Sequence, residues 1–303
     1  MSVTIAAGRR KVEVSLPDKP LFSDGTTKAD LARYYEVVAE AMLPHLAGRP
    51  LNLERYPDGI DGERIIQQKA SAHFPDWIER VKVAKAGGTV EHVVAGDAAT
   101  LVYLANQACI TLHRWLSRAD RIERPDQLVI DLDPSDGRPA EVRRAAVRIG
   151  ELLRELGLEP FAMTTGSRGY HVAAPLQRRQ DFDEVRAFAR DVARLTAARE
   201  PKRLTTEQRK SKRGTRILVD VMRNAYAHTA VAPYSVRPRP RAPVATPLDW
   251  EELSEASTRP DRWTLETLPR RLERDGDPWR NMASAARPFR SAQRRLQELS
   301  EAG

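Results

Sequence analysis

The stretch LVIDLDPS, residues 128–135, sets three apolar residues ahead of Asp131 and Asp133, which flank a single leucine. Side chains of a strand alternate between its faces, so two aspartates spaced this way point to the same side, close together. Like charges so placed repel unless something cationic lies between them. A second stretch, ILVDVMR at 217–223, leads Ile217, Leu218 and Val219 straight into Asp220. If the two are neighbouring strands, three carboxylates gather at one end of a buried sheet. Oxygen donors of that kind suit hard cations, and two such ions about 3.5–4 Å apart can activate a hydroxyl and stabilise a departing pyrophosphate. Either stretch alone reads more plainly as an Asp-Pro turn or an ordinary strand end.

The segment TTGSRGYHV, 164–172, lies between the two acidic stretches and shifts that balance. Its two glycines permit a tight turn whose N–H groups can approach an anion, with Thr165 and Ser167 adding hydroxyl donors. Arg168 brings a permanent charge, and His171 opens the next strand with a ring N–H able to meet a triphosphate oxygen. Taken singly, each residue also fits a hairpin turn with a surface arginine and a half-buried histidine. Their combination between two acid-ended strands points to phosphate chemistry.

The rest of the chain supplies an α/β scaffold. TKADLARYYEVVAEAMLPH, 27–45, reads as an amphipathic helix with Leu31, Tyr34, Tyr35, Val38 and Met42 on one stripe, ended by Pro44. GTVEHVVAGDAATLVYLANQACITLHRW, 88–115, is expected to pass from a strand into a long buried helix that carries Cys109 as core filling and His113 at the core's edge. Beyond LVIDLDP, a helix over about 140–156, strands at FAMTTGS and HVAAPL, a helix over about 183–195 and the strand ILVDVMR alternate as in α/β cores. The proline-rich RPRPRAPVATPLDW, 237–250, argues against a regular helix or central strand and is expected to wrap the surface before short helices near Trp250 and over 287–299. One domain over 1–303 is expected, with an N-terminal part (1–125), a catalytic core (126–236) and a C-terminal wrap (237–303).

A chain of 303 residues that is 41% hydrophobic can bury a real core. With one cysteine it builds neither a disulfide framework nor a cysteine zinc site. No apolar run reaches the roughly 18–20 residues that span a bilayer, and the N-terminus does not resemble a signal peptide, so a cytoplasmic protein without membrane association is expected. The net charge of +8 favours polyanion partners. Its distribution is more telling: REPKRLTTEQRKSKRGTR, 199–216, sets eight basic residues against two acidic ones just before Asp220. Such a run is ordinarily a solvated face, but beside three carboxylates it would offset their field and track phosphates.

Taken together, RYPDGIDG, HFPDWI, LHRWLSRAD, ERPDQLVIDLDP, TTGSRGYHV, VDVMRN, TAVAPYSVR and TPLDWEEL resemble the polymerase domain of bacterial ligase D proteins and its stand-alone relatives, within the archaeo-eukaryotic primase superfamily. The resemblance implies an α/β (α+β) fold of two facing β-sheets flanked by helices, with an RRM-like primase-polymerase core. It implies that Asp131, Asp133 and Asp220 hold two divalent cations, Mn²⁺ favoured and Mg²⁺ possible. It gives Thr165, Arg168 and His171 to the incoming nucleotide, which the Ser167 hydroxyl of the same turn is expected to join, Arg213 and Arg237 to its triphosphate, and His113 to the active site. Arginine suits that role because its planar fork matches phosphate oxygens.

The function so implied is metal-dependent addition of ribo- or deoxynucleotides to DNA 3′ ends, or filling of short gaps in repair. Alternatives are a DNA-end-bridging module with vestigial catalysis, or a primase that starts chains de novo. Expected partners are DNA ends or gapped DNA, nucleoside triphosphates, Ku and a separate DNA ligase, around a monomer that associates with the nucleoid when bound to DNA. No Lys-x-Asp-Gly motif is present, so ligase activity is not expected in this chain.

Two departures concern DNA engagement by the segment that includes Arg55. Many relatives place two phenylalanines and a lysine after the PDGIDG turn, where this chain has Ile65, Ile66, Gln67 and Gln68, with Lys69 one position late. Isoleucine lacks the π-face on which a base stacks, an interaction worth roughly 1–3 kcal/mol. Glu54 stands where ligase D domains carry a lysine for the 5′-phosphate across a gap, so weak recognition of that phosphate is expected.

Overall fold

In the computed structural model, which describes residues 1–85, 87–135 and 138–301, the chain opens on a hairpin. Strands β1 (Ser2–Ala7) and β2 (Arg10–Ser15) pair antiparallel from Ser2↔Ser15 to Ala7↔Arg10. Their period-2 alternation buries Ile5, Ala7, Val12 and Val14. Helix α1 (Lys28–Val37) begins in a capping box: the Asp30 N–H donates to the Thr27 hydroxyl, and the Thr27 N–H donates to the Asp30 carboxylate. The stripe Leu31, Tyr34, Tyr35, Val38 and Met42 is buried throughout. Pro44 does not end the helix as expected. The break falls at Val38, and α2 (Ala39–Leu46) takes Pro44 inside it. Pro44 lies past the first turn of α2, so its missing N–H leaves the Glu40 carbonyl without an i+4 donor, a loss that this two-turn helix accepts.

Strands β3 (Leu51–Arg55), β4 (Ile65–Gln67), β5 (Arg80–Lys85) and β6 (Gly88–Val93) follow, then α3 (Ala98–Asn106) and β7 (Cys109–Trp115). The expected long helix is therefore corrected: it stops at Asn106, Ala108 takes a left-handed φ of 54°, and Cys109 and His113 lie on a strand. A short apolar run such as CITL fits a buried strand as well as a buried helix, and periodicity alone does not separate them. The β-branched Ile110 and Thr111 favour the strand.

Strand β8 (Gln127–Asp133) and helix α4 (Pro139–Glu155) begin a second group of elements, continued by β9 (Phe161–Thr164), β10 (Tyr170–Pro175), α5 (Phe182–Arg199), β11 (Leu204–Thr205), α6 (Lys210–Arg213) and β12 (Ile217–Asp220). Strand β13 (Thr229–Val231) joins the sheet of β7, and β14 (Pro247–Leu248) joins that of β9. Helices α7 (Trp250–Ser254), α8 (Leu268–Asp275) and α9 (Phe289–Glu301) complete the chain. Residues 237–250 do not simply wrap the surface: Ala242, Val244, Ala245, Thr246 and Leu248 are buried. Proline forbids central pairing, not burial, and Pro247 duly sits in the two-residue β14 at a sheet edge.

The chain divides into two compact units, each built from three separate stretches: Met1–Asp120 with Val231–Thr246 and Trp263–Asp277, and Arg121–Ala230 with Pro247–Arg262 and Pro278–Gly303. The first unit holds the sheet strands β7-β3-β6-β5, with β4 added to β3. The second holds β11-β12-β8-β10-β9-β14. In the second unit Leu128, Ile130 and Leu132 of β8, Tyr170 and Val172 of β10, and Ile217 and Val219 of β12 enter one core with α4 and α5. Asp131, Asp133, His171 and Asp220, at the alternate positions, take the other face. Among the described residues no helix is long and apolar enough to cross a membrane.

Candidate active site

The register of the second unit's sheet puts three of these residues in one row. His171 stands opposite Asp131 across the β10–β8 pair, and Asp220 stands opposite Asp131 across the β12–β8 pair. Residues directly opposite in an antiparallel pair have Cβ atoms about 4.5–5.5 Å apart. Asp133, two residues on, shares their face and stands opposite Leu218.

Each carboxylate has a partner. Asp131 lies 3.5 Å from His171 Nε2 through Oδ1 and 3.2 Å from Arg223 Nε through Oδ2. Burial pushes the Asp131 carboxyl up, but His171 and Arg223 outweigh it and hold the group at about 2, so it is ionised at neutral pH. Asp133 is approached by Arg213 Nη1 at 3.5 Å and Arg168 Nη2 at 3.8 Å. The Asp220 Oδ1 accepts from Met222 N–H at 2.9 Å and Gln208 Nε2 at 3.4 Å.

The loop after β9 is closed on itself. Thr165 N–H donates to the Gly169 carbonyl at 3.0 Å, and Gly169 N–H donates to Thr165 Oγ1 at 3.3 Å. Gly166 takes a left-handed φ of 62°, and Gly169 passes so close to β8 that a Cβ there would lie 2.0 Å from the Leu132 carbonyl oxygen. Glycine is thus required for two different reasons in one turn. Arg168 projects from it half exposed, whereas Arg213 is anchored by its Nε to the Glu207 carbonyl and its Nη2 to the Gln208 carbonyl.

Three carboxylates on one face, one of them held ionised, match the oxygen-rich donor set of hard divalent cations. As the side chains stand, no group of three or more His, Cys, Asp or Glu among the described residues is disposed to hold a metal ion. The guanidinium groups of Arg223, Arg213 and Arg168 lie against the carboxylates instead. The backbone register brings the acids together; the rotamers serve the arginines.

The family described as the LigD primase-polymerase domain matches residues 27–279. The chain belongs to this family. It is 33% identical over 282 residues to the multifunctional non-homologous end joining protein LigD of Mycobacterium bovis, covering 90% of this chain and 37% of that protein. It is 34% identical over 272 residues to LigD of Pseudomonas aeruginosa, covering 89% of this chain and 32% of that protein. The chain thus spans about a third of the length of these curated relatives. The solved polymerase domain of Mycobacterium tuberculosis ligase D, in complex with DNA, superposes with a TM-score of 0.85 at 32% identity, covering 91% of this chain and 99% of that one.

In this LigD-type primase-polymerase domain the remaining candidate residues belong to the first unit. His113 stands opposite Asn52 in the β7–β3 register, and Glu54 opposite Thr111, so all four share one face. Glu54 is 3% exposed and accepts at 2.7 Å from Arg64 Nε and at 3.0 Å from the Tyr56 hydroxyl, while its Oε2 lies 2.9 Å from His113 Nε2. Burial raises the Glu54 carboxyl, but His113, Arg237 and Arg64 bring it down to about 2. An ionised carboxylate only accepts, so Nε2 is a protonated nitrogen of the His113 ring. Glu54 is therefore an internal anchor with its charge met from several sides.

Arg55 is likewise a brace, donating to the Gln107 carbonyl at 2.8 Å and to Gln67 Oε1 at 2.7 Å. Ile65 is partly covered, whereas Ile66, 48% exposed, and Lys69 face solvent. Arg237 acts on Glu54 and Tyr56 through its charge. Sequence reasoning missed Arg223 and Gln208. Both follow or precede the acidic strand without any spacing that sets them apart from other polar surface residues, and only the register of β12 against β8 brings Arg223 to Asp131.

Proposed function

We propose that the chain transfers nucleotides from nucleoside triphosphates to DNA 3′ ends, and fills short gaps, in double-strand-break repair by end joining. The observation that carries this reading is the row His171–Asp131–Asp220 with Asp133 beside it, on the face of the sheet opposite the core that holds α4 and α5. Asp131, Asp133 and Asp220 would hold divalent cations, Mn²⁺ favoured and Mg²⁺ the alternative. Such ions, if bound there, would supply activation of a 3′-hydroxyl and stabilisation of charge on a departing pyrophosphate.

The protein's own groups do the rest. Thr165, Ser167 and Arg168 meet the triphosphate from the turn after β9, with Arg168 able to leave its 3.8 Å approach to Asp133. Arg213, fixed by two backbone carbonyls, presents its remaining nitrogen beside Asp133. Such preset donors orient phosphate without reorganisation during reaction. His171, 3% exposed, contributes a ring N–H on the same face. Within the first unit, the exposed Ile66 and Lys69 would meet nucleic acid, and His113 and Arg237 carry their charge and N–H groups around Glu54. The exposed Lys202, Arg209, Lys210 and Lys212 of the basic run counter the acidic field.

The direct test is extension of a 3′-overhang substrate with Mn²⁺ and either ribo- or deoxynucleotides, run beside Asp131→Ala and Asp220→Ala. Product from the wild type alone supports the reading. Equal product from all three would remove the metal-site assignment, and DNA binding without extension by any of them would favour an end-bridging module. Adding Ku and a DNA ligase to the same substrate tests the proposed partners.

A further inference from the structure

We propose that Arg223 is an internal counter-cation, one that holds Asp131 in the metal-free protein and has to leave it before a divalent cation can bind. The idea rests on the metal reading above and adds to it a residue with a role of its own. Asp131 and Asp220 are directly opposite each other on adjacent strands, an arrangement that is unfavourable for two like charges. Arg223 Nε, 3.2 Å from Asp131 Oδ2, relieves it.

The approach is built into the backbone. After β12 the chain makes a single 3-10 turn over Met222–Asn224. The turn is tied at its start by Met222 N–H donating to Asp220 Oδ1 at 2.9 Å. It is tied at its end by the fully buried Asn224, whose Oδ1 accepts from Val129 N–H at 2.8 Å and whose Nδ2 donates to the carbonyls of Val129 at 2.6 Å and Val221 at 2.9 Å. Asn224 thus clamps the turn to β8, the strand that bears Asp131. Arg223 lies between these two ties.

The side chain itself is 42% exposed, whereas that of Asp131 is 13% exposed. The guanidinium can therefore swing into solvent without opening the core. A divalent ion held by Asp131 would carry twice the charge of Arg223 and would compete with it for the carboxylate. Metal loading then frees a cation beside the site, where phosphate is the anion at hand. Arg223 in this way keeps the acidic row stable when empty and lowers its affinity when filling.

The experiment is Mn²⁺ binding, followed by electron paramagnetic resonance on wild type, Arg223→Gln, Arg223→Lys and Asp131→Ala, with melting temperatures of the metal-free proteins. Removing one unit charge a few ångströms from a divalent ion should tighten Mn²⁺ binding in Arg223→Gln by about tenfold. Arg223→Lys should stay near wild type, and metal-free Arg223→Gln should melt lower, with Mn²⁺ restoring the loss. Arg223→Met serves as a second neutral variant. Arg186→Gln, which removes a guanidinium that donates to Met222 Sδ at 3.1 Å, should bind as wild type. Unchanged or weaker Mn²⁺ binding in both neutral variants overturns the counter-cation while leaving the metal site intact. A wild type whose Mn²⁺ binding is absent, or survives Asp131→Ala, overturns the metal reading and the proposal with it.

Discussion

Asp220 and Asp131 stand directly opposite each other across an antiparallel strand pair, with His171 directly opposite Asp131 on its other side. A row of that kind is set by backbone register, so it survives changes of rotamer. A one-residue slip of β12 would turn Asp220 and Leu218 toward the helices and bring Val219 onto the acidic face instead. The opposition of the two acids is thus a property of the fold.

Asp131→Ala and Asp220→Ala should each lower primer extension by more than the roughly 10–100-fold typical of losing an outer-shell partner. Circular dichroism should show folded protein in both cases. Single-nucleotide extension at saturating Mn²⁺ is the measurement, and activity within a few-fold of wild type would remove these residues from the chemistry.

Gly169→Ala should damage the site from beneath. Its Cβ would meet the Leu132 carbonyl oxygen at 2.0 Å, a backbone atom of the strand that carries Asp131 and Asp133. Overpacking of this kind costs roughly 1–3 kcal/mol. The urea midpoint should fall and extension should fall with it, whereas a variant as stable and active as wild type would show that β8 has room to move.

Glu54 should make stability depend on pH. Its folded carboxyl, at about 2, is depressed from an ordinary 4.5. The stabilisation is therefore complete above pH 4.5 and is lost as pH falls from there toward 2. A depression of that size in a buried group corresponds to about 3 kcal/mol. Urea denaturation of Glu54→Gln and wild type should differ most near neutral pH and converge as the pH approaches the folded value of about 2. A constant gap across that range would place the linkage elsewhere.

Since Glu54 is buried against Arg64, Tyr56 and His113, it offers a downstream 5′-phosphate no cation. Extension across a short gap should accordingly change less than about fivefold when that phosphate is removed, given that one exposed ion pair is worth about 1 kcal/mol or less. Strong stimulation by the phosphate would show that Arg64 or a neighbour supplies the missing charge.

Replacing Lys210 and Lys212 with glutamine should weaken DNA binding and flatten its salt dependence. For every phosphate no longer neutralised, the slope of log affinity against log salt should shrink by about 0.9. Fluorescence anisotropy between low and moderate salt measures it, and an unchanged slope would leave these lysines as solvated surface.

This protein is legible from its sequence where two signals agree. In LVIDLDPS and ILVDVMR an apolar run ends in acid, so strand and site are visible together, and α4 and α5 are long enough for their amphipathic period to speak. Cys109–Trp115 reads as helix in the sequence yet folds as a strand, because four buried positions in a row carry no period. Residues 242–248 read as a surface wrap yet are buried, because proline signals the absence of pairing and says nothing of burial. Arg223 gives no sign at all: an arginine after a strand has no local signature, and its partner lies 92 residues away in sequence.

The interleaving of the chain has a practical consequence for anyone who would dissect it. Neither unit is a contiguous segment, since Val231–Thr246 and Trp263–Asp277 belong with the N-terminal stretch and Pro278–Gly303 with the middle one. A single genetic cut after Asp120 strips the first unit of core residues such as Tyr234, and one after Ala230 strips the second of Phe289 as well. Fusion partners, reporter insertions and chimaeras should be placed at the ends of this polypeptide, because no single interior junction separates one unit from the other.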